Sequence, residues 1–247
     1  MFIKSGSFYL LALFFTGFSP MALSQQLTAQ EMEEWLFDDS DSLIEEVNEG
    51  ELVFLKKAPI KSVHHHHNRM LISDASIEDG WVGMEQCHRN LDPVSLAQIV
   101  FRSDRVRGLQ VTKVSNIDKA WVDGPSIQLE GIQHDALLCL NAETRSFVYN
   151  DDGTFSLHSG PFMRKFLDGY YPMQVTLDVS VKSERLRFYR MTPGKQNGFT
   201  MRHSDKKVYV DALFEGRLNT EITFHDMSLE NVAAQHKERG NIAIQER

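Results

Sequence analysis

Residues 63–88 read VHHHHNRMLISDASIEDGWVGMEQCH, and the fold class turns on reading this stretch as two strands joined by a turn. Residues two apart on a β-strand share a face. His64 with His66, and His65 with His67, therefore form two imidazole pairs on opposite faces. The turn region Ser73 to Gly80 then brings the strand around Val82 to His88 back alongside, with His88 beside one of the pairs. Neutral imidazoles suit zinc, copper or nickel, and a catalytic zinc takes three protein ligands and an open position. His64, His65, His66, His67 and His88 are thus the candidate ligands for a zinc or copper ion, with His88 as the third donor. The plainer alternative is a polar strand whose imidazoles are solvated or hydrogen-bonded.

The same stretch holds Cys87, one of two cysteines; the other is Cys139. In an exported chain two cysteines are expected to pair, and both lie in strand-like runs, GWVGMEQCH and DALLCL, so the expected bridge joins two strands across a core. Cys87-His88 matches the end of a c-type haem motif, but Met84 stands where its first cysteine belongs.

Export is read from residues 1–24. Lys4 supplies a positive start, Phe8 to Phe18 an apolar core too short for a membrane span, and Ala22-Leu23-Ser24 a small-residue cleavage site. Losing Lys4 takes the net charge from −8 to −9, and no long basic run exists, so nucleic acid is disfavoured as a partner. No segment after the leader is apolar enough to cross a bilayer. An exported chain, periplasmic or secreted, is the expectation, with a protein or envelope partner.

Residues 25–50 form an acidic helical segment. Thr28 to Glu31 and Ser42 to Glu45 are capping boxes, and Met32, Trp35, Leu36 and then Leu43, Ile44, Val47 follow at helical spacing. Its carboxylates do not fit a calcium loop, because Ile44 and Gly50 occupy the turn-glycine and final-glutamate positions counted from Asp39.

From Glu51 the period is two. Strands are expected at Leu52–Leu55, Ile60–Ser73, Trp81–Cys87, Ala97–Phe101, Leu109–Val114, Ala120–Val122, Ser126–Leu129, Ala136–Leu140, Ser146–Tyr149 and Thr154–Leu157. Gly, Asp, Asn and Pro between them mark antiparallel connections. The fold class is mainly β, an antiparallel sandwich-like architecture. Within it, Ile127-Gln128-Leu129, Ile132, Asp135-Ala136 and Cys139, with Trp121 between the cysteines, weakly resemble the immunoglobulin-like fold. That resemblance implies an inter-sheet bridge. It departs where Trp121 comes far after Cys87 and where Leu137 replaces the corner tyrosine.

Residues 51–158 make the main β-rich domain and 159–226 a second, smaller β segment packed on it. Between them Gly160 to Gly169, with apolar Phe162, Met163, Phe166 and Leu167, reads as a short helical connector whose greasy face is core. Strands are then expected at Met173–Val181, Leu186–Tyr189, Phe199–Arg202, Val208–Phe214 and Leu218–Phe224, and residues 227–247 as a short helix and polar tail. Nucleotide, flavin, serine-hydrolase and zinc-protease motifs are absent, and the His203–Asp205 and His225–Asp226 pairs read as turn chemistry. The sequence thus favours an exported, non-catalytic binding or envelope-structural protein. The alternative is a zinc or copper protein, or a metal-dependent hydrolase, built on the histidine run.

Overall fold

The computed structural model describes residues 51–57, 59–166 and 169–228. The acidic segment, the leader and the tail beyond 228 lie outside the described residues. In chain order the strands are β1 (Val53–Phe54), β2 (His64–Ile72), β3 (Trp81–Arg89), β4 (Leu96–Val100) and β5 (Val106–Asp123). Next come β6 (Ser126–Arg145), β7 (Phe147–Tyr149), β8 (Thr154–Phe162), β9 (Lys165–Phe166) and β10 (Gly169–Tyr170). The last five are β11 (Met173–Val181), β12 (Leu186–Thr192), β13 (Phe199–Ser204), β14 (Lys207–Glu215) and β15 (Leu218–Asp226).

A nine-stranded sheet runs β1-β14-β11-β2-β3-β6-β4, with β13 also on β14 and β5 also on β6. A four-stranded sheet, β12-β15-β8-β7, packs against it. All pairings are antiparallel except β2 with β11. The smaller β segment packs on the first by entering both sheets: β11 pairs with β2, and β15 pairs with β8.

Strict alternation on β11 buries Met173, Val175, Leu177, Val179 and Val181 on the inner face. Phe155, Leu157, Ile222 and Phe224 of the small sheet cover them. Fully burying one such side chain contributes roughly 1.5–3 kcal/mol. A second core, around Ile127, Leu129, Leu138 and Leu140, lies where the β5–β6 hairpin curls with β3 and β4. The two cores meet along β2 and β3, whose residues Met70 and Met84 belong to one core each.

Several local expectations give way to tertiary pairing. The four short strands expected between Leu109 and Leu140 are two long ones. Asn116, Gly131 and Asp135 take positive φ (56°, 65° and 56°) within them and bend the ribbon without ending it. Ser73 to Gly80 is more than a turn: α1 (Asp74–Asp79) forms there, the Ser73 N–H donating to Ser76 Oγ (3.1 Å) and Gly80 closing it at φ 78°. A Cβ on Gly80 would fall 2.7 Å from the Phe147 carbonyl oxygen, so the close approach of β3 to β7 requires glycine there.

The helical connector at Gly160 is a strand end and a small hairpin instead. β8 continues to Phe162 opposite Leu218, and β9 pairs with β10. One or two helical turns are costly to nucleate, whereas this stretch has β15 as a waiting partner. Phe162 is buried as expected, but Phe166 is 41% exposed, edge-on to Tyr171.

Cys87 and Cys139 are bonded, with Cα atoms 4.1 Å apart. They are direct cross-strand partners on β3 and β6, so the bridge ties neighbours in one sheet and does not span the core. Trp121 is 42% exposed. The sandwich-like expectation holds, while the immunoglobulin bridge and core tryptophan have no counterpart among the described residues.

Candidate functional site

Alternation along β2 and β3 decides which histidines meet. His64, His66, Asn68 and Met70 face inward, as do His88, Gln86 and Met84. The antiparallel register sets His66 against His88, Asn68 against Gln86 and Met70 against Met84. A ladder of imidazoles, then amides, then thioethers is thereby inlaid in an apolar face. Flanking it, Val175 lies beside His66 and Leu177 beside Asn68 on one side, and Leu138 beside His88 and Leu140 beside Gln86 on the other.

Each polar rung is hydrogen-bonded, as buried polar groups must be. The Gln86 amide nitrogen donates to His88 Nε2 (2.6 Å), so His88 carries its proton on Nδ1 and donates to His64 Nε2 (3.0 Å). The His64 proton is then on Nδ1. His66 donates from Nε2 to Asn68 Oδ1 (2.8 Å), leaving its Nδ1 lone pair as an acceptor. The His66 ring also meets His88 and Phe162 edge-on, at 4.5 and 5.0 Å between centroids.

Burial holds these rings neutral. It pushes His64 down to about 4 and His66 to about 3, and takes His88 well below its ordinary value; in the second two, neighbouring imidazoles add to the effect. Asp92, which pulls the other way on His64, is held by Arg164 through two bonds of 2.9 and 2.5 Å.

His65 and His67 point to the opposite face, with parallel rings 6.0 Å apart. There His65 Nε2 meets Thr176 Oγ1 and His67 Nε2 meets Asp178 Oδ2, each at 2.8 Å. The five candidate ligands are thus split: His64, His66 and His88 come together, and His65 and His67 do not join them.

The inner three do not form a fitting cage for a divalent ion. Among the described residues no group of three His, Cys, Asp or Glu side chains is arranged to hold a metal. His66 Nε2 is committed to Asn68, and the nearby carboxylate of Asp92 is committed to Arg164. A doubly charged ion in this buried place would lack a counter-charge. Elsewhere, His203 stacks on Phe188, His225 packs on Tyr189, and Asp226 is bound by Arg185, so neither His–Asp pair forms a dyad.

The ladder forms the floor of a cavity of about 850 Å³ between the sheets, within the roughly 300–1,000 Å³ of small-molecule sites. Beyond the thioethers its walls carry Phe101, Phe147, Phe155 and Met173 together with Thr144, Ser146, His158 and Ser159. Its rim carries Arg102, Arg105 and Arg145 against Glu78, Asp79 and Asp104. A smaller recess near Gly108 and Gly124 has Arg107 as its ionisable group, and that guanidinium is bound to Glu143.

Asn68 and Gln86 are the site residues the sequence reading missed. Their signal was available: they sit at even positions from His66 and His88, on the face that later carries Met70 and Met84. Compared with known proteins, the chain matches no family model, no curated protein and no solved structure.

Proposed function

We propose that this chain is an exported, non-catalytic binding protein that takes a small, largely apolar ligand into the cavity between its two sheets. The observation that carries the reading is the ladder of His66–His88 and Asn68–Gln86, set in aliphatic strands and facing a cavity of about 850 Å³. A polar stripe in a β core costs stability unless every group is paired, and here it lies along the floor of a hollow whose walls include Phe101, Phe147, Phe155 and Met173. That is the arrangement of a binding site: a mostly apolar lining with a few placed polar groups. Export is supported by the apolar leader, and by the Cys87–Cys139 bond, since such bonds persist in oxidising compartments.

The test is titration with the uncharged fluorophore N-phenyl-1-naphthylamine. Saturable one-to-one binding is expected, lost in a Met84→Trp variant that fills the cavity and still melts cooperatively. Absence of saturable binding in the parent chain overturns the reading. Metal analysis of protein purified without an affinity tag is the second arm. Stoichiometric zinc or copper that disappears in a His64→Ala, His88→Ala variant would replace the proposal with the metal reading.

A further inference from the structure

We infer that the ligand is an uncharged amphiphile, an alkyl or isoprenoid body ending in a hydroxyl or carbonyl; this rests on the cavity reading above. Three independent features select the head group.

At the polar end, the bonds within the ladder leave two valences open. His64 Nδ1–H is a donor and His66 Nδ1 an acceptor, and neither takes part in a hydrogen bond among the described residues. Neither atom is among the enclosed polar atoms without a partner, and both residues line the cavity. A hydroxyl, which donates and accepts, or a carbonyl, which accepts, satisfies them.

No net charge stands at this end to receive an ion. The nearby ion pair, Arg164 with Asp92, is closed on itself by its two bonds. A carboxylate, phosphate or ammonium brought here would lose its water without gaining a counter-ion, which costs far more than desolvating a hydroxyl that is hydrogen-bonded again.

The rim does not substitute for that missing charge. It carries three arginines and three carboxylates, equal in number, and Asp104 is already engaged by Arg102 at 3.2 Å and by Arg105 at 4.0 Å. The lining as a whole is neutral. Its length also bounds the body: from His88 to Met84 the floor extends about 13 Å at the rise of a β-strand, before the aromatic walls begin.

The experiment is displacement of N-phenyl-1-naphthylamine at pH 7.5 by ten-carbon probes that differ in the head: 1-decanol, monodecanoylglycerol, decanoate and decylammonium, each below its micellar concentration. The alcohol and the glyceride are expected to displace at concentrations at least about tenfold lower than either ion. Decanoate or decylammonium binding as tightly as decanol overturns the inference while leaving the cavity reading intact. Failure of the fluorophore itself to bind removes both. His64→Phe is expected to weaken decanol about tenfold, and His64→Gln, which restores an N–H donor, to recover it. Equal decanol affinity in His64→Phe and the parent would count against the assigned donor. Should His64→Phe fail to fold, the four probes on the parent chain still decide.

Discussion

Lowering the pH from 7 to 5 should remove a large part of this protein's stability, through His64, His66 and His88. In the unfolded chain these imidazoles take up protons near 6.5, whereas burial drives the folded values to about 4 for His64 and about 3 for His66, and well down for His88. Below 6.5 the unfolded state therefore binds more protons than the folded one. Stability is complete above that point and falls as pH drops toward the folded values. Each imidazole contributes a slope of about 1.4 kcal/mol per pH unit. At pH 5 the loss is about 2 kcal/mol for each of His64 and His66, with His88 adding in the same direction, against a typical total of about 5–15 kcal/mol. His65, also lowered by burial and by its neighbour His67, acts in the same direction. Asp226 has its carboxyl held below the usual range by Arg185 and Ser228 against the opposing effect of burial, so it matters only at lower pH. The measurement is urea unfolding at several pH values and constant ionic strength, with the m-value checked for constancy. In a His64→Gln variant the slope between pH 6 and 5 should be smaller by about 1.4 kcal/mol per unit. Unfolding free energies that stay level from pH 7 to 5 would refute the buried, neutral assignment of the trio.

Phe162→Ala should cost about 3–5 kcal/mol, because the ring is 5% exposed and packs on His66. Phe166→Ala should cost under about 1 kcal/mol, its ring being half out and held by Arg164 and Tyr171; melting curves that reverse this order would contradict the hairpin placement. Alkylation of the unreduced, folded protein should label no thiol, and a Cys87→Ser, Cys139→Ser variant should lose about 3–4 kcal/mol, given a separation of 52 residues. Gln86→Leu alone should cost about 1–3 kcal/mol by stranding His88 Nε2, yet replacing His66, Asn68, Gln86 and His88 together with Phe or Leu should cost less than that single change and abolish fluorophore binding. A combined variant less stable than Gln86→Leu would show that the ladder is itself a stabilising element.

Much of this was legible in the sequence because strand periodicity is a local property. The strict alternation from Met173 to Val181 becomes β11 with the same bounds, and the even-numbered histidines turn inward toward His88 as their spacing requires. What was not legible depends on partners far away in the chain. Nothing near Gly160 announces that residues 154–162 will pair with β15, so the apolar spacing of Phe162, Met163 and Phe166 imitated a helix. Asn116, Gly131 and Asp135 look like turn residues, and only their continuous pairing with the opposite strand shows them to be bends within β5 and β6. The split between the inner and outer imidazoles followed from spacing. Which face was the inner one did not, because that depends on the parallel pairing with β11 and on the small sheet that covers it.

The ladder also bears on why the chain keeps four polar groups in such a place. Two cores meet at β2 and β3, and aliphatic residues there would have fused them, at little or no cost in stability, into one larger interior. The polar rungs stand instead where the two cores meet. Phe162 of the small sheet packs on His66 at one end of the ladder, and the remaining rungs line the hollow. Neutrality is part of the same design. Were the rings protonated at neutral pH, His88 would stand 5.2 Å from His64 and 4.5 Å from His66 between ring centres, and the like charges would repel and draw water in. Held below their ordinary range by burial, they offer hydrogen bonds without charge. The site's selectivity for an uncharged head and the protein's sensitivity to acid therefore have one physical cause.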